Sequence, residues 1–310
     1  MYDIRCAEQA DLGAVIALLA RLQADPAHHI GYLGETPSEL TADLAGFEPS
    51  WAASSVVAVD ETGRLCGVLG VDVAPRRARL HGPFVDVPLN HPAGSRIWDQ
   101  TADALHAAAV GLPRLRVVAD RELCGRTEHR RLAAFARRHG FAADRASGVL
   151  VADGDALRSL LLREAGCPRT GPARQMRSLP TDPAVHEAVA VLHERCFPGA
   201  HPSGRQLVER ARGHTVVVAM DGDDVLGYAA GTARPQEHHV DFVAVEPALR
   251  GRGVGAALIT ELVWELAAAR GARPRVVAAV LAGNDSRRTF DRLGFELREE
   301  LVAYRTRPAA

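Results

Sequence analysis

The sequence predicts an α/β fold made of two copies of one unit. Segments with the two-residue period of β-strands alternate with amphipathic helical segments, and the second half of the chain repeats the order found in the first. Residues 56–60 (VVAVD) correspond to residues 217–221 (VVAMD), and a glycine follows each at Gly67 and Gly227. A chain of 310 residues is long for one domain and sufficient for two. The repeat therefore predicts tandem domains.

The first half begins with a short strand and a helix that follows Asp11. That helix is predicted because its apolar residues recur at helical spacing, namely Leu12, Val15, Ile16, Leu19 and Leu22. The turn at residues 60–63 joins the strands of a hairpin, and Gly140 ends a helix. In order, we predict a strand (4–6), two helices (from 12; 37–46), a hairpin (56–59, 65–73), a strand (79–87), a helix (97–109), a strand (115–119), a helix (128–139) and a strand (148–152).

The second half gives the same succession. Asp182-Pro183 is a typical helix start, and residues 221–224 form the turn of a second hairpin. We predict a strand (175–179), two helices (182–195, 202–211), a hairpin (215–220, 225–233), a strand (238–245), a helix (256–269), a strand (275–281), a helix (286–293) and a strand (296–306). We expect domains at 1–152 and 174–310, joined by a linker at 153–173.

Composition limits the kinds of partner. Hydrophobic residues make up 47% of the chain and charged residues 24%, which is typical of a soluble protein with a large core. A net charge of −1 gives no general attraction to nucleic acid or to an anionic membrane. The first residues lack a secretory pattern, and the five cysteines are scattered without a close pair. We therefore expect a cytoplasmic protein with reduced thiols, present as a monomer or homodimer.

Residues 250–256 (RGRGVGA) are the part of the sequence that carries most chemical information. They lie between the predicted strand 238–245 and the predicted helix 256–269. Alternate glycines let the backbone approach a ligand closely, and the start of a helix offers unpaired N–H groups and the positive end of its dipole. Arg250 and Arg252 add positive charge. The pattern indicates a diphosphate site, although an ordinary glycine-rich turn is the simpler interpretation.

Two kinds of phosphate loop fit this segment poorly. A Walker loop requires a lysine, and all 37 basic residues of the chain are arginine. Gly251, Gly253 and Ala256 match the looser dinucleotide pattern, but five residues separate that pattern from the strand, and no acidic residue ends the following strand to bind a ribose.

A third interpretation rests on a resemblance. Residues 243–255 (VAVEPALRGRGVG) resemble the acetyl-CoA signature of the GCN5-related N-acetyltransferases, and Asn284 with residues 290–295 (FDRLGF) is similar to the closing segment of that family. The resemblance covers residues 174–307 and implies a mixed, mostly antiparallel sheet flanked by helices in each domain. It also implies that acetyl-CoA is bound by Val243, Ala244, Val245, Arg250, Gly251, Arg252, Gly253, Val254, Gly255, Ala256, Asn284 and Arg287.

The corresponding loop of the first half does not support the same site. Residues 88–96 (PLNHPAGSR) keep one glycine, and two prolines remove backbone donors. Tandem members of the family, such as the mycothiol-synthesising acetyltransferases, are similar in having one working and one degenerate domain. We expect the first half to be structural.

Candidate acid–base residues lie on the predicted strand 238–245, the central strand of the second half. Because side chains alternate between faces, His239, Asp241 and Val243 are expected to share one face, with His238 on the other. His239 is our candidate base, and Asp241 either orients it or is itself the base. By the resemblance, the N–H of Val245 or its neighbour would stabilise the anionic oxygen. The simpler alternative is a pair of surface polar residues.

Two further points concern the chemistry. Many members of the family place a tyrosine where Phe290 stands, and phenylalanine has no proton to donate. Ser286, Thr289 and Tyr228 are the alternative donors. No metal is expected, because His238 and His239 point to opposite faces and no spacing of a zinc site is present.

The sequence thus predicts an N-acetyltransferase that moves acetyl from acetyl-CoA to the primary amine of a small molecule by direct attack in a ternary complex. Two alternatives stay open: a non-catalytic acyl-CoA-binding sensor, and a dinucleotide-binding enzyme with a parallel sheet.

Overall fold

The computed structural model describes residues 2–74, 77–87, 93–116, 118–162, 174–200, 202–209 and 213–306. The chain divides into two compact units, of which one contains Met1–Ser147 with Glu300–Ala310 and the other contains Gly148–Glu299. Each unit has its own hydrophobic core.

The first unit is a mixed sheet flanked by helices. Its strands are β1 (Asp3–Cys6), β2 (Ser55–Val59), β3 (Leu65–Ala74), β4 (Arg77–Val85) and β5 (Arg121–Arg126). Its helices are α1 (Leu12–Gln23), α2 (Pro37–Ala45), α3 (Gly94–Val110), α4 (Pro113–Arg116) and α5 (Arg130–Arg138). Strands β1 to β4 pair antiparallel in chain order, and β5 pairs parallel with β4.

The second unit repeats this arrangement. Its strands are β7 (Arg174–Ser178), β8 (Thr215–Asp221), β9 (Asp224–Ala233), β10 (Glu237–Val245) and β11 (Arg275–Leu281). Its helices are α6 (Gly154–Leu162), α7 (Pro183–Cys196), α8 (Gly204–Val208), α9 (Val254–Arg270) and α10 (Arg287–Arg292). Strands β7 to β10 pair antiparallel in chain order, and β11 pairs parallel with β10. The predicted fold of two similar α/β copies, each with a mixed and mostly antiparallel sheet, is confirmed.

The sixth strand of each unit is not the one that chain order suggests. In the first unit, residues 301–305 of the last strand, β12 (Glu296–Thr306), pair antiparallel with β5. In the second unit, the strand next to β11 is β6 (Phe141–Asp153), which belongs to this unit from Gly148 onward. We had expected each half to end in its own last strand. Local sequence patterns show that a segment is a strand but not which strand it pairs with.

One predicted strand is wrong. Residues 115–119 were expected to be extended, but Leu115 lies in the short helix α4, and the strand is the polar segment β5 that follows. The interior of β5 is nevertheless buried, and its Glu122 accepts hydrogen bonds from Arg77 (3.0 Å), Arg145 (3.1 Å) and the hydroxyl of Tyr32 (2.9 Å). These long-range partners stabilise a strand that the residues of β5 alone do not predict.

The sheet of the second unit has a core on each face. Along β8, Val217 and Ala219 belong to the core built with α9, whereas Val216 and Val218 belong to the core built with α7. A strand that is apolar at every position is expected where helices cover both faces of a sheet. This packing holds β10 as an inner strand between β9 and β11.

The first unit buries an uncharged histidine. His81 is 6% exposed, its ring lies 5.0 Å from that of Phe47, and neither ring nitrogen has a hydrogen-bond partner among the described residues. Burial, with a smaller contribution from the charge of Arg79, lowers the pKa of His81 to about 3. Because His81 of the unfolded chain binds a proton with a pKa of ~6.5, stability is lost as the pH falls from about 6.5 towards 3.

We therefore expect His81→Leu to make the protein less sensitive to acid. The variant should match the wild type within ~1 kcal/mol at pH 7 and exceed it by ~2 kcal/mol at pH 5, since only the wild type must keep this histidine unprotonated in the folded state. Equilibrium urea unfolding at both pH values measures the difference. Equal losses of stability in the two proteins would contradict the prediction.

Candidate functional site

The loop after β10 places two glycines in the left-handed region of backbone conformation. A short 3-10 turn (Pro247–Leu249) follows the strand, and then Gly251 (φ 75°) and Gly253 (φ 83°) lead into α9. A Cβ added at either glycine would meet no atom within 4 Å. Their side-chain positions therefore face open space, and only glycine adopts this conformation without strain.

Helix α9 begins directly at this loop without a side-chain cap. Gly253 is its N-cap residue, and the first bond into the helix is the one that the N–H of Ala257 donates to the carbonyl of Gly253, at 3.1 Å. The preceding N–H groups, those of Val254, Gly255 and Ala256, have no carbonyl within the helix to bond. Together with the helix dipole, they form a cradle for an anion.

The two arginines of the loop are exposed. The Nε of Arg250 donates to the carbonyl of Val245 at 3.3 Å, which fixes the arginine beside the end of β10. Both guanidinium groups add positive charge next to the cradle, as the sequence predicts.

Strand β10 separates from β11 before it reaches the loop. The parallel pairing joins residues 237–240 to residues 275–278, and within the described chain it goes no further, although β10 continues to Val245. The N–H of Glu246 donates to Leu226 on β9, so Val245 points its own polar groups away from β9, by alternation along the strand. The backbone of Val243 and Val245 therefore borders the gap between the strands.

A β-bulge interrupts β10 at Asp241. Val240 pairs with Gly231 and Phe242 with Ala230, so Asp241 is the extra residue. The bulge reverses the alternation: Val243 joins Val240 in the core under α9, and Phe242 packs on the opposite side of the sheet. The expectation that His239, Asp241 and Val243 share one face is therefore wrong.

Asp241 contacts residues other than His239. Its Oδ2 accepts a hydrogen bond from the Thr232 hydroxyl at 3.0 Å and lies 3.5 Å from Nε2 of the buried His214. Thr232 lies on β9 opposite His239 in the strand register. The carboxylate is thus held beside a histidine, but not the predicted one.

His239 bonds to an acid that we had not considered. Its Nε2 is hydrogen-bonded to Oε1 of Glu237, and Oε2 of Glu237 accepts a hydrogen bond from Nε of Arg275 at 2.6 Å. Burial by itself would raise the pKa of Glu237, but the hydrogen bond and charge of His239 and the charge of Arg275 outweigh it and lower the pKa to about 2. The signal was available in the sequence, because residues two apart on a strand share a face.

His238 faces the other way. Its buried side chain donates from Nε2 to the carbonyl of Gly271, at the end of α9, at 3.1 Å. Burial lowers the pKa of His238, so it is uncharged at neutral pH. The separation of the two adjacent histidines onto opposite faces agrees with the sequence analysis.

The predicted residues around α10 have local partners. Oδ1 of Asn284 accepts the N–H of Ser286 at 2.9 Å, and Nε of Arg287 donates to Asp291 at 2.9 Å, one turn along the helix. The ring of Phe290 is buried in the core and lies 5.1 Å from that of Phe295. Phe290 is thus a packing residue in this structure.

Tyr228, an alternative proton donor, is fully buried. Its hydroxyl lies 2.6 Å from Nδ1 of His193, and burial raises its pKa and lowers that of His193. Tyr228 pairs with Ala244 across β9 and β10 and belongs to the core under α7. Its hydroxyl is therefore already hydrogen-bonded to His193 inside that core.

The first unit differs at the equivalent positions. Gly67 pairs with Val85 as Gly227 pairs with Val245, and Arg79 precedes Val85 by the same number of residues as His239 precedes Val245. An arginine is always charged and cannot accept a proton. The first unit therefore has no base at this place on its central strand.

The helix start of the first unit is also different. Helix α3 has Ala93 as its N-cap residue, in the right-handed region. Residues 88–92 of the loop that we predicted to be degenerate lie outside the described residues. In the described part of the chain, no helix is both long and apolar enough to cross a lipid bilayer.

Comparison with known proteins identifies this architecture. Residues 186–295 match the model of the Acetyltransferase (GNAT) family. The whole chain is similar in structure to a GCN5-related N-acetyltransferase from Sphaerobacter thermophilus, with a TM-score of 0.69 and 20% identity, covering 100% of this chain and 97% of the other. It is also similar to a tandem GNAT protein from the clavulanic acid biosynthesis pathway, with a TM-score of 0.66 and 17% identity, covering 100% and 99%.

A third similar structure is the glucosamine N-acetyltransferase region of a fungal multi-domain β-N-acetylglucosaminidase. Its TM-score is 0.68 at 15% identity, over 98% of this chain and 38% of the other. No curated protein sequence matches this chain significantly. Residues 186–295 are thus an acetyltransferase domain of the GNAT family, in a chain whose fold is that of tandem GNAT proteins.

Proposed function

We propose that the second unit transfers an acetyl group from acetyl-CoA to the primary amine of a small molecule, by direct attack in a ternary complex. The observation that carries the proposal is the uncapped start of α9, which two left-handed glycines and a short turn connect to a strand that has separated from its neighbour. This segment lies inside the region that matches the acetyltransferase family.

The residues fit the co-substrate. The open space above Gly251 and Gly253 and the unpaired N–H groups of α9 suit a diphosphate, and the exposed arginines suit its charge. The backbone of residues 243–245 borders the gap, where an extended pantetheine arm can add to the edge of β10. We further propose that Asn284 and Arg287 contact the nucleotide end. When bound, acetyl-CoA supplies the acetyl group and a thiol as leaving group.

The chain would supply a base for the amine and a hydrogen-bond donor for the acetyl oxygen. Nδ1 of His239 takes a proton from the amine, because Nε2 is engaged by Glu237. The N–H of Val245, directed into the gap, stabilises the negative charge that develops on the acetyl oxygen. Asp241 is the second candidate base, and its bulge position leaves it exposed on the strand.

The departing sulfur leaves as a thiolate in this proposal. Phe290 has no proton to give, and the hydroxyl of Tyr228 is bonded to His193 in the core. Ser286 and Thr289 are the remaining hydroxyls that the sequence analysis named. A thiolate can leave without protonation because the pKa of a simple thiol, ~8.5 for cysteine, is only moderately above neutrality.

We propose a structural role for the first half of the chain, 1–152, joined by residues 153–173 to a catalytic half, 174–310. Arg79 at the position of His239 supports this division. We also propose that the protein is cytoplasmic, works without metal as a monomer or homodimer, and binds neither nucleic acid nor membrane. The near-neutral net charge supports the last point.

One alternative function keeps a specific observation in its favour. A sensor that binds acyl-CoA without chemistry needs no proton donor, and Phe290 provides none. The dinucleotide-binding alternative requires a parallel sheet, whereas β7 to β10 are antiparallel. It is not supported.

We expect Gly253→Ala to weaken acetyl-CoA binding by about 10-fold or more, because the new methyl group occupies the space proposed for the diphosphate. Gly222→Ala in the β8–β9 turn is the matched control, since Gly222 also has a positive φ (58°) and open space around it. Both substitutions should cost ~1–2 kcal/mol of folding stability. Thermal shift with and without acetyl-CoA separates the effects. Equal protection of the two variants by acetyl-CoA would contradict the assignment of the loop.

We expect His239→Gln to lower amine-dependent release of thiol from acetyl-CoA by roughly 10²–10⁴-fold, because the proposed base is lost. His238→Gln is the control, with the same substitution one residue away on the opposite face, and it should keep most of the activity. The assay uses a panel of small amines at several pH values, and wild-type release should rise with pH because the attacking amine must be unprotonated. Acetyl-CoA binding without turnover on any amine would favour the sensor.

A further inference from the structure

We infer that Glu237 is a positioning residue that fixes the tautomer of His239, so that Nε2 carries the proton and Nδ1 is left as the base. This inference rests on the proposed function and adds a residue to it. The pairing of Glu237 with His239 is the closest carboxylate–imidazole contact described in the second unit.

The tautomer follows from the hydrogen-bond partners. An ionised carboxylate only accepts hydrogen bonds, so the ring nitrogen that bonds to Glu237 must be the one that carries hydrogen. When the imidazole of His239 is uncharged, it has one N–H and one ring lone pair, which leaves the lone pair on Nδ1. The nitrogen able to accept a proton from an amine is therefore set by Glu237.

The carboxylate is itself held in place. Glu237 is 8% exposed, and its second oxygen accepts from Nε of Arg275, which is the residue opposite it on β11. Two oxygens bound to two different groups leave the side chain little freedom to rotate. Because Glu237 and His239 lie two residues apart on the paired part of β10, the sheet fixes their separation.

The other carboxylate near the strand has a different environment. Asp241 lies at the bulge and contacts Thr232 and His214. Glu237 lies in the regular part of the strand, before the bulge, where alternation still places it on the face of His239. The role of orienting His239, which the sequence analysis offered to Asp241, therefore falls to Glu237.

The first unit shows that this pair is not required by the fold. Arg77 precedes Val85 by the same number of residues as Glu237 precedes Val245, and it forms an ion pair with Asp120 at 3.2 Å. The positions of the acidic and basic partners are thus exchanged. Strand β4 carries the base Arg77 with Asp120 as its partner, whereas β10 carries the acid Glu237 with Arg275 as its partner. An ion pair of either polarity can stabilise these strand ends, but only the second unit combines an acid here with a histidine two residues later.

The test is the tautomer of His239, measured by ¹⁵N–¹H correlation spectra of the histidine rings at a pH where the His239 ring is uncharged. The His239 signals are assigned by their loss in His239→Gln. The wild type should show the Nε2–H tautomer. Glu237→Gln, whose amide can also donate, should shift His239 towards the Nδ1–H form and lower kcat/KM by about 30-fold, part of the roughly 10²–10⁴-fold supplied by a positioned base.

Glu194→Gln is the matched control, because Glu194 also accepts a hydrogen bond within the second unit, from the N–H of Gly204 at 2.7 Å. It should change neither the His239 signals nor kcat/KM. Arg275→Gln, which frees one oxygen of Glu237, should shift the tautomer less than Glu237→Gln does. Circular dichroism of each variant checks that the fold is intact.

The outcomes separate this inference from the proposed function. An unchanged tautomer in Glu237→Gln, or an Nδ1–H tautomer in the wild type, overturns the role of Glu237 whatever the activity. A tautomer that shifts as expected supports the positioning role even if His239→Gln retains full thiol release. In that case the base assigned to His239 fails and the structural part of the inference stands.

Discussion

Strand β10 is paired on both sides at its start and on one side only at its end, and the candidate site depends on this change. Where β11 pairs with it, the strand carries Glu237 and His239 at fixed separation. Where β11 has diverged, the backbone of residues 243–245 borders a gap that leads to the uncapped start of α9. The same strand therefore carries a fixed acid–base pair in its first part and an open edge in its last part, which leads to the start of α9.

The bulge at Asp241 connects these two parts. It adds one residue to β10 without adding one to β9, so side chains beyond it exchange faces. Val243 thereby enters the apolar core under α9, and Phe242 packs near His193, with 4.8 Å between their rings. The bulge thus leaves His239 and Asp241 as polar groups before an otherwise apolar strand end.

The two units show how one arrangement of strands supports different electrostatics. In the first unit, the buried Glu122 binds Arg77 and Arg145, and a charged Arg79 occupies the central strand. In the second unit, the acid lies on the central strand itself and its partners are a histidine and an arginine. Buried ions are stable in both because each is paired, and only the second pairing includes an imidazole.

The sequence by itself determined the two similar copies, most of the helices and strands, the glycine loop and its arginines, because these depend on local periodicity and on the backbone freedom of glycine. It also placed His239 and Asp241 on the central strand. Four features were decided only by the tertiary structure: the polar strand β5, the sixth strand of each unit, the bulge at Asp241, and the bond between Glu237 and His239. Each depends on which strands pair and in which register, and that choice is made by packing between segments distant in the chain.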